Sequence, residues 1–194
     1  MQIVSHRINT VQQLQSVPSR YGVEVDIRSY GDTLIIHHDP FIKGEDFEDW
    51  LKYFNHSLLI LNVKEEGLEE YLLKLMRKFK IENFFFLDQS FPFLMKTSKY
   101  EHRCAVRVSE YESFDTALSL SKRVDWVWFD TFKPLTLIKS DISLLKQSGF
   151  KICLVSPELQ GRDPNKECFE ICEYIKNNNI EIDAVCTKHP ELWK

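Results

Sequence analysis

Eight short runs rich in β-branched and aromatic residues recur along the chain, with amphipathic segments between them. Parallel strands need a crossover connection, so this alternation favours a parallel sheet over a set of hairpins. Eight units in 194 residues leave about 24 residues for each, slightly fewer than is usual in a (β/α)8 barrel. We therefore predict an α/β protein with the fold of a compact (β/α)8 TIM barrel, in a single domain over residues 1–194. The eight runs are residues 3–6, 23–27, 58–63, 84–87, 105–108, 126–129, 151–155 and 184–187.

The segments between these runs carry apolar residues at helical spacing, which predicts amphipathic helices. The stripes are Phe47, Trp50, Leu51 and Phe54; Leu68, Leu72, Leu75 and Phe79; Phe114 and Leu118; Ile138, Ile142 and Leu145; and Phe169, Cys172 and Ile175. Residues 33–37 follow a turn and are better interpreted as a loop hairpin than as a ninth barrel strand. An open doubly wound sheet is the competing fold, but it would need a glycine-rich loop after its first strand, and none of the six glycines lies in a GxGxxG pattern.

Composition narrows the class of protein. The net charge of −4 comes from mixed acids and bases without a basic block, so nucleic acid is not an expected partner. The odd count of five cysteines, without paired metal-type spacings, predicts reduced core thiols. We see neither a signal-peptide pattern nor an apolar stretch of the roughly 20 residues that a membrane span needs. We expect a soluble cytoplasmic protein with no membrane span.

Polar side chains follow most of the eight runs, and in a parallel barrel these strand ends form the active-site rim. Glu24 and Asp26 lie two apart on one run, so both point to the same side of the strand. Two like charges there are costly unless a divalent cation or basic side chains neutralise them. A metal site and a structural pairing with Arg7, Arg28 or Lys64 both remain open at this point.

The ordered set of motifs resembles the glycerophosphodiester phosphodiesterase family, within the larger group of phosphatidylinositol-phospholipase-C-like TIM-barrel phosphodiesterases. Residues 5–10 (SHRINT) match that family's His-Arg-Gly opening, and Glu24-Val25-Asp26 and His38-Asp39 match its next two motifs. Residues 61–64 (LNVK) resemble the third-strand Glu-x-Lys motif, and residues 182–187 with Pro190 resemble the closing Asp-Gly-x-x-Thr-Asp-x-Pro signature. The similarity spans the whole chain, although only the first forty residues are specific.

This resemblance implies a phosphoric diester hydrolase acting on a small-molecule glycerophosphodiester or a sugar- or nucleotide-linked diester. It makes His6 and His38 the general acid/base pair and Glu24 and Asp26 the ligands of one divalent metal ion, Mg²⁺ or Ca²⁺, with Asn62 where the family usually has a third carboxylate. Arg7 and Lys64 would then hold the phosphate oxygens.

Three further side chains are candidates for binding substrate. Arg107 ends the fifth run, and Trp128 shares strand parity with Trp126 and Asp130, so that its indole could face the site. Glu158 lies with Arg162 in the longest polar loop of the rim, which we interpret as a possible lid. His37 neighbours His38, and a shift of one residue in register would exchange their roles.

The chain departs from the family pattern in three places. Ile8 replaces a glycine, Asn62 replaces a carboxylate, and only about twenty residues separate Asp39 from the third run, which leaves no room for the usual covering insertion. An open rim suits a bulky substrate, or a partner protein or oligomer that completes the site. Two alternatives therefore remain: a metal-free enzyme in which Arg and Lys replace the cation, and a non-catalytic barrel that binds a phosphorylated ligand or a partner protein.

Overall fold

A computed structural model describes residues 1–134 and 139–194. Ile138, from one predicted helical stripe, lies outside the described residues. The strands are β1 (Gln2–Ser5), β2 (Gly22–Tyr30), β3 (Thr33–Ile36), β4 (Glu45–Asp46), β5 (Leu59–Val63), β6 (Phe84–Leu87), β7 (Ala105–Val108), β8 (Trp126–Phe129), β9 (Lys151–Val155) and β10 (Ala184–Thr187). The helices are α1 (Val11–Ser16), α2 (Phe47–Leu51), α3 (Glu69–Phe79), α4 (Phe91–Thr97), α5 (Phe114–Ser119), α6 (Lys139–Gln147) and α7 (Pro164–Asn177), with 3-10 turns at Pro157–Gln160 and Pro190–Trp193.

Eight of these strands run parallel in a ring. β1 pairs with β2 and β10, β5 joins β2 to β6, and β7, β8, β9 and β10 follow in order. A single bridge between Phe86 and Cys104 joins β6 to β7. β3 pairs antiparallel with β2, and β4 with β3, so the predicted loop hairpin lies outside the ring. The predicted α/β barrel is confirmed, and each of the eight predicted runs overlaps a ring strand.

Alternating side chains of each strand divide the core into an inner and an outer layer. On β6, Phe84 and Phe86 pack outward under the helices, and Phe85 points into the barrel. There its ring stacks on that of Trp126 at 4.5 Å between centroids. Apolar side chains therefore fill the barrel toward the amino ends of its strands. The polar residues of the strands lie toward the carboxyl ends.

Helix α7 differs from the predicted stripe at one of its three positions. Cys172 and Ile175 pack against the core as predicted, whereas Phe169 is 68% exposed. The neighbouring Cys168 and Ile171 are buried in its place. Asp163 caps the helix by accepting from the backbone N–H of Asn165. No helix within residues 1–134 and 139–194 is long and apolar enough to cross a membrane.

Candidate active site

A polar pocket lies at the carboxyl ends of the ring strands. Seven of the eight strands, or the loops that follow them, contribute to its wall, because inward-facing positions at the strand ends converge there. Its volume is about 200 Å³. The residues lining it are His6, Arg7, Asn62, Lys64, Asp88, Arg107, Trp128, Asp130, Val155, Leu159, Gln160 and Lys188.

Glu24 lies on β2, the remaining strand of the ring, and its carboxylate is fully buried next to this pocket. Its Oε1 accepts from the Nδ2 of Asn62 at 2.8 Å, and its Oε2 accepts from the backbone N–H of Arg7 at 2.8 Å. Burial, together with the neighbouring charge of Asp26, raises the pKa of Glu24 to about 7. Protonation of this carboxyl group is therefore easier than that of an exposed glutamate.

Asp26 is also fully buried and is surrounded by donors. Its Oδ2 accepts from the Nδ2 of Asn9 at 2.8 Å and lies 3.7 Å from the Nε of Arg7. The Nζ of Lys64 lies 3.3 Å from its Oδ1 without forming a regular hydrogen bond. The structure thus brings Arg7 and Lys64 to the carboxylate pair, as the structural alternative requires, whereas Arg28 reaches the backbone oxygen of His38 instead.

Two buried oxygen atoms at this site have no hydrogen-bond partner among the described residues. They are Oδ1 of Asp26 and Oδ1 of Asn62, and their residues stand opposite each other in the register of β2 and β5. A buried acceptor without a partner is costly, so a ligand that accepts lone pairs would be favoured there. Hard oxygen donors of this kind fit Mg²⁺ or Ca²⁺.

His6 follows β1, with its side chain only 13% exposed. Its Nε2 lies 3.7 Å from the Oε2 of Glu24. Burial, helped by the positive charges of Arg7 and Lys188, lowers the pKa of His6 to about 4. The imidazole is therefore neutral at pH 7 and can accept a proton. Arg7 beside it has a positive φ of 54°, an unfavourable backbone conformation for a residue other than glycine that turns its N–H toward Glu24.

The two neighbouring imidazoles lie elsewhere. His37 and His38 are in the loop after β3, and neither is among the described residues that line the pocket. The side chain of His38 is 42% exposed, and its Nδ1 lies 2.7 Å from the Oδ1 of Asp39. The loop is anchored by a backbone hydrogen bond, in which the N–H of His37 donates to the carbonyl oxygen of Asp26. It is also anchored by the close approach of Gly44 to Ile36, where a Cβ on residue 44 would lie 2.1 Å from the carbonyl oxygen of Ile36.

Arg107 faces the pocket but already has three acidic partners. Its Nη1 donates to Asp130 at 2.5 Å, its Nη2 donates to Asp88, and its Nε lies 3.6 Å from Glu112. The Nε2 of Gln160 donates to both carboxylate oxygens of Asp130, at 2.8 and 2.9 Å. Sequence reasoning gave Asp88, Asp130, Gln160 and Lys188 no role. The strand-end rule already marks the two aspartates and Lys188, whereas Gln160 belongs to the polar rim loop interpreted as a lid, without a signal specific to its own position.

The last two predicted binding residues differ in position. Trp128 lines the pocket, as its parity on β8 predicts. Glu158 does not line it: its Oε1 accepts from Thr187 Oγ1 at 2.7 Å and from the backbone N–H of Lys188 at 2.8 Å, and its Oε2 accepts from the hydroxyl of Ser156. These bonds tie the loop after β9 to the end of β10.

No protein-family model and no curated protein matches the sequence. Three solved structures match the fold along 99% of the chain. A glycerophosphodiester phosphodiesterase from Agrobacterium tumefaciens has a TM-score of 0.73 with 16% identity over 97% of its own length. A Galdieria sulphuraria protein assigned to the same class has a TM-score of 0.72 with 14% identity over 95% of its length. A glycerophosphoryl diester phosphodiesterase from Parabacteroides distasonis has a TM-score of 0.66 with 12% identity over 84% of its length. The chain therefore has the fold of the glycerophosphodiester phosphodiesterases.

Proposed function

We propose that the protein is a phosphoric diester hydrolase acting on a glycerophosphodiester or on a sugar- or nucleotide-linked phosphodiester. The observation that carries the proposal is the grouping of a neutral His6 with Arg7 and Lys64 above a buried carboxylate pair, at the strand ends where a barrel enzyme has its active site. The fold shared with glycerophosphodiester phosphodiesterases supports the same reaction class.

In this proposal His6 accepts the proton of the attacking water or substrate hydroxyl. The cations of Arg7 and Lys64 bind the phosphate oxygens and stabilise the charge that develops on them. A bound phosphate would also raise the low pKa of His6, because an adjacent anion favours the imidazolium. Glu24 holds the turn at Arg7 in place through the backbone N–H.

His38 is the second member of the proposed acid/base pair, donating a proton to the leaving alkoxide. Its side chain now pairs with Asp39, outside the residues that line the pocket. The proposed role therefore requires the loop of residues 37–44 to move toward the pocket when substrate binds. Such closure is common where loops over a barrel complete a catalytic set.

We propose a divalent cation, Mg²⁺ or Ca²⁺, as cofactor. The unpartnered oxygens of Asp26 and Asn62 would hold it together with Glu24. When bound, the cation supplies Lewis-acid stabilisation of a phosphoryl oxygen. The described residues contain no group of three or more His, Cys, Asp or Glu suited to a metal, so the proposed site has two carboxylates and the amide oxygen of Asn62 as its protein ligands.

The five thiols are free, and four of them are buried. Unpaired thiols are typical of proteins in a reducing compartment, which supports the proposed cytoplasmic location.

The test is hydrolysis of a panel of glycerophosphodiesters and of nucleotide- and sugar-linked diesters, with Mg²⁺, Ca²⁺ or a chelator. We expect turnover with a metal ion, and a loss of about 10² to 10⁴ in rate for His6→Ala and for His38→Ala, the range of a general acid/base. His102→Ala, at an exposed imidazole outside the pocket, is the matched control. The proposal fails if no diester of the panel is hydrolysed, or if His6→Ala is as active as the control.

A metal-independent diesterase is the second candidate, favoured by the ammonium of Lys64 at 3.3 Å from the same Oδ1 of Asp26 that a metal would use. Unchanged activity in chelator would support it. Asn62→Glu sharpens the comparison: with a metal site, the added carboxylate tightens cation binding in calorimetry, whereas with Lys64 as the sole cation it adds an uncompensated charge and lowers the melting temperature in the presence and absence of Mg²⁺.

A non-catalytic barrel that binds a phosphorylated ligand or a partner protein is the third candidate, favoured by the outward position of His38. It predicts phosphate-ester binding without turnover, unaffected by His38→Ala.

A further inference from the structure

The barrel wall is open between β6 and β7. Every other neighbouring pair in the ring has at least two register pairs, but β6 and β7 share only the bridge between Phe86 and Cys104. Toward their carboxyl ends, the described residues of β6 and β7 share no further register pair. The side chains of Asp88 and Arg107 cross the gap at the rim as an ion pair, in place of backbone hydrogen bonds.

A cleft of about 410 Å³ occupies this gap. Its lining combines side chains from both layers of the core: Leu87 and Ala105 belong to the inner layer, whereas Leu94 and Val106 belong to the outer layer. The cleft therefore touches residues of both layers at the edges of the gap. Phe91, which is 54% exposed, lines it as well.

The cleft adjoins the polar pocket described above. Asp88 and Arg107 line both spaces, so their ion pair is the partition between them. One side of the partition carries the cations proposed to bind phosphate. The other side combines the apolar residues named above with the polar side chains of Gln89, Glu112, Ser113 and Thr116. The carboxylate of Asp88 also lies 3.5 Å from the Nζ of Lys64, so it contacts cations on both sides of its position in the partition.

We infer that this cleft is a subsite for the apolar part of one alcohol group of the phosphodiester, so that the preferred substrate carries an aliphatic chain. The inference rests on the proposed diesterase function and specifies its substrate class. A volume of about 410 Å³ lies within the range of small-ligand pockets. The phosphate would bind at Arg7 and Lys64, and the chain would pass the Asp88–Arg107 pair into the cleft between Phe91 and Val106.

The test compares methyl and hexyl p-nitrophenyl phosphate as substrates. Each methylene buried in the cleft should raise kcat/KM about fourfold, so burial of three gives a preference of about 60-fold for the hexyl ester. Thr116→Trp places an indole in the cleft and should remove this preference, since Thr116 lines it. Asp115→Trp is the matched control, because the neighbouring Asp115 is exposed and does not line the cleft.

Phe91→Ala provides a second variant if Thr116→Trp does not fold. This change at a half-exposed position should lower the hexyl preference several-fold. Equal kcat/KM for the two esters in the wild type, or a preference that survives Thr116→Trp, would overturn the subsite.

Calorimetric binding of dimethyl and hexyl methyl phosphate separates the two proposals. If neither p-nitrophenyl ester is hydrolysed but the hexyl diester binds more tightly, and Thr116→Trp removes the difference, then the subsite stands and the diesterase proposal falls. If the two diesters bind equally, the subsite falls whatever the activity.

Discussion

Glu158→Ala distinguishes a structural carboxylate from a substrate-binding one. In the structure Glu158 accepts from the hydroxyls of Ser156 and Thr187 and from the backbone N–H of Lys188. Alanine would leave the Lys188 N–H and the buried Thr187 hydroxyl without this acceptor. The loop after β9, which carries Gln160 into the pocket, would lose these side-chain bonds to the end of β10. The backbone bond from the N–H of Ser156 to the carbonyl oxygen of Cys186 would remain.

The expected cost follows from these bonds. A hydrogen bond to a charged group contributes about 1.5 to 3 kcal/mol, but the three bonds share one half-buried carboxylate and water can replace part of them, so we expect a total loss of about 3 kcal/mol. For a chain of this size that corresponds to a decrease in melting temperature of about 6 to 12 °C. Glu158→Gln keeps one carbonyl acceptor and should lose about half as much. Urea unfolding followed by circular dichroism measures the loss of unfolding free energy in each of the two variants.

The stabilising contribution of Glu158 should decrease as the pH falls. Burial alone would raise the pKa of Glu158, but the bonds from Ser156, Thr187 and Lys188 outweigh it and hold the pKa below its ordinary value. A carboxyl group with a depressed pKa stabilises the fold above the pKa of the unfolded chain, about 4.3 for Glu. That contribution disappears as the pH falls through the lower pKa of the folded state. The stability difference between wild type and Glu158→Ala is therefore complete at pH 7 and shrinks below about pH 4.

Glu82→Ala is the control for this prediction, because Glu82 is an exposed acid before β6, at the opposite end of the barrel. It should change the free energy of unfolding by less than about 0.5 kcal/mol. The structural reasoning is refuted if Glu158→Ala is as stable as the control. A large fall in kcat/KM at unchanged stability would instead support the substrate contact predicted from the sequence.

Two further predictions concern the fold. Lys80 ends α3 in a left-handed conformation, with φ 56° and ψ 38°, so Lys80→Gly should stabilise the protein by about 1 kcal/mol in urea unfolding, whereas Arg77→Gly inside the helix should destabilise it by about as much. Burial raises the pKa of all five thiols. A thiol reagent at pH 8 should therefore modify none of them rapidly in the native protein and all five in urea. Rapid labelling of buried Cys104 or Cys186 in the native protein would contradict the packing.

The strands could be predicted from sequence because their side chains alternate between two apolar layers. Residues 84–87 form a strand as predicted, since three phenylalanines in succession can all be buried only if both faces of the strand are covered. The opening between β6 and β7 could not be predicted, because it depends on how the ring closes and not on the pattern of either strand. The exposure of Phe169 on α7 could not be predicted either, because apolar spacing alone does not decide whether Cys168 or Phe169 faces the sheet.

Within the candidate site, residues at strand ends could be placed from the sequence, and residues outside the strands could not. His6, Lys64 and Trp128 lie at strand ends, where parity fixes the direction of a side chain, and the structure places all three around the pocket. His38 lies in a loop and Glu158 in the 3-10 turn after β9, where the parity rule for strands does not apply. Their directions are set by Asp39 in one case and by the end of β10 in the other. Sequence reasoning therefore located the rim, but not which loop side chains enter it.

Asn62 links the electrostatics of this site to its proposed chemistry. Its amide donates to Glu24, whose pKa is already raised to about 7 by burial and by Asp26. A third carboxylate at that position would replace a donor with a negative charge and would require a cation at all times. With asparagine, the remaining negative charge can be balanced by a proton on Glu24, by the ammonium of Lys64, or by a divalent ion at the free oxygens. Asparagine at this position thus reduces the negative charge of the proposed metal site. We expect the affinity of that site for a cation to rise with pH, because a metal ion competes with a proton for Glu24.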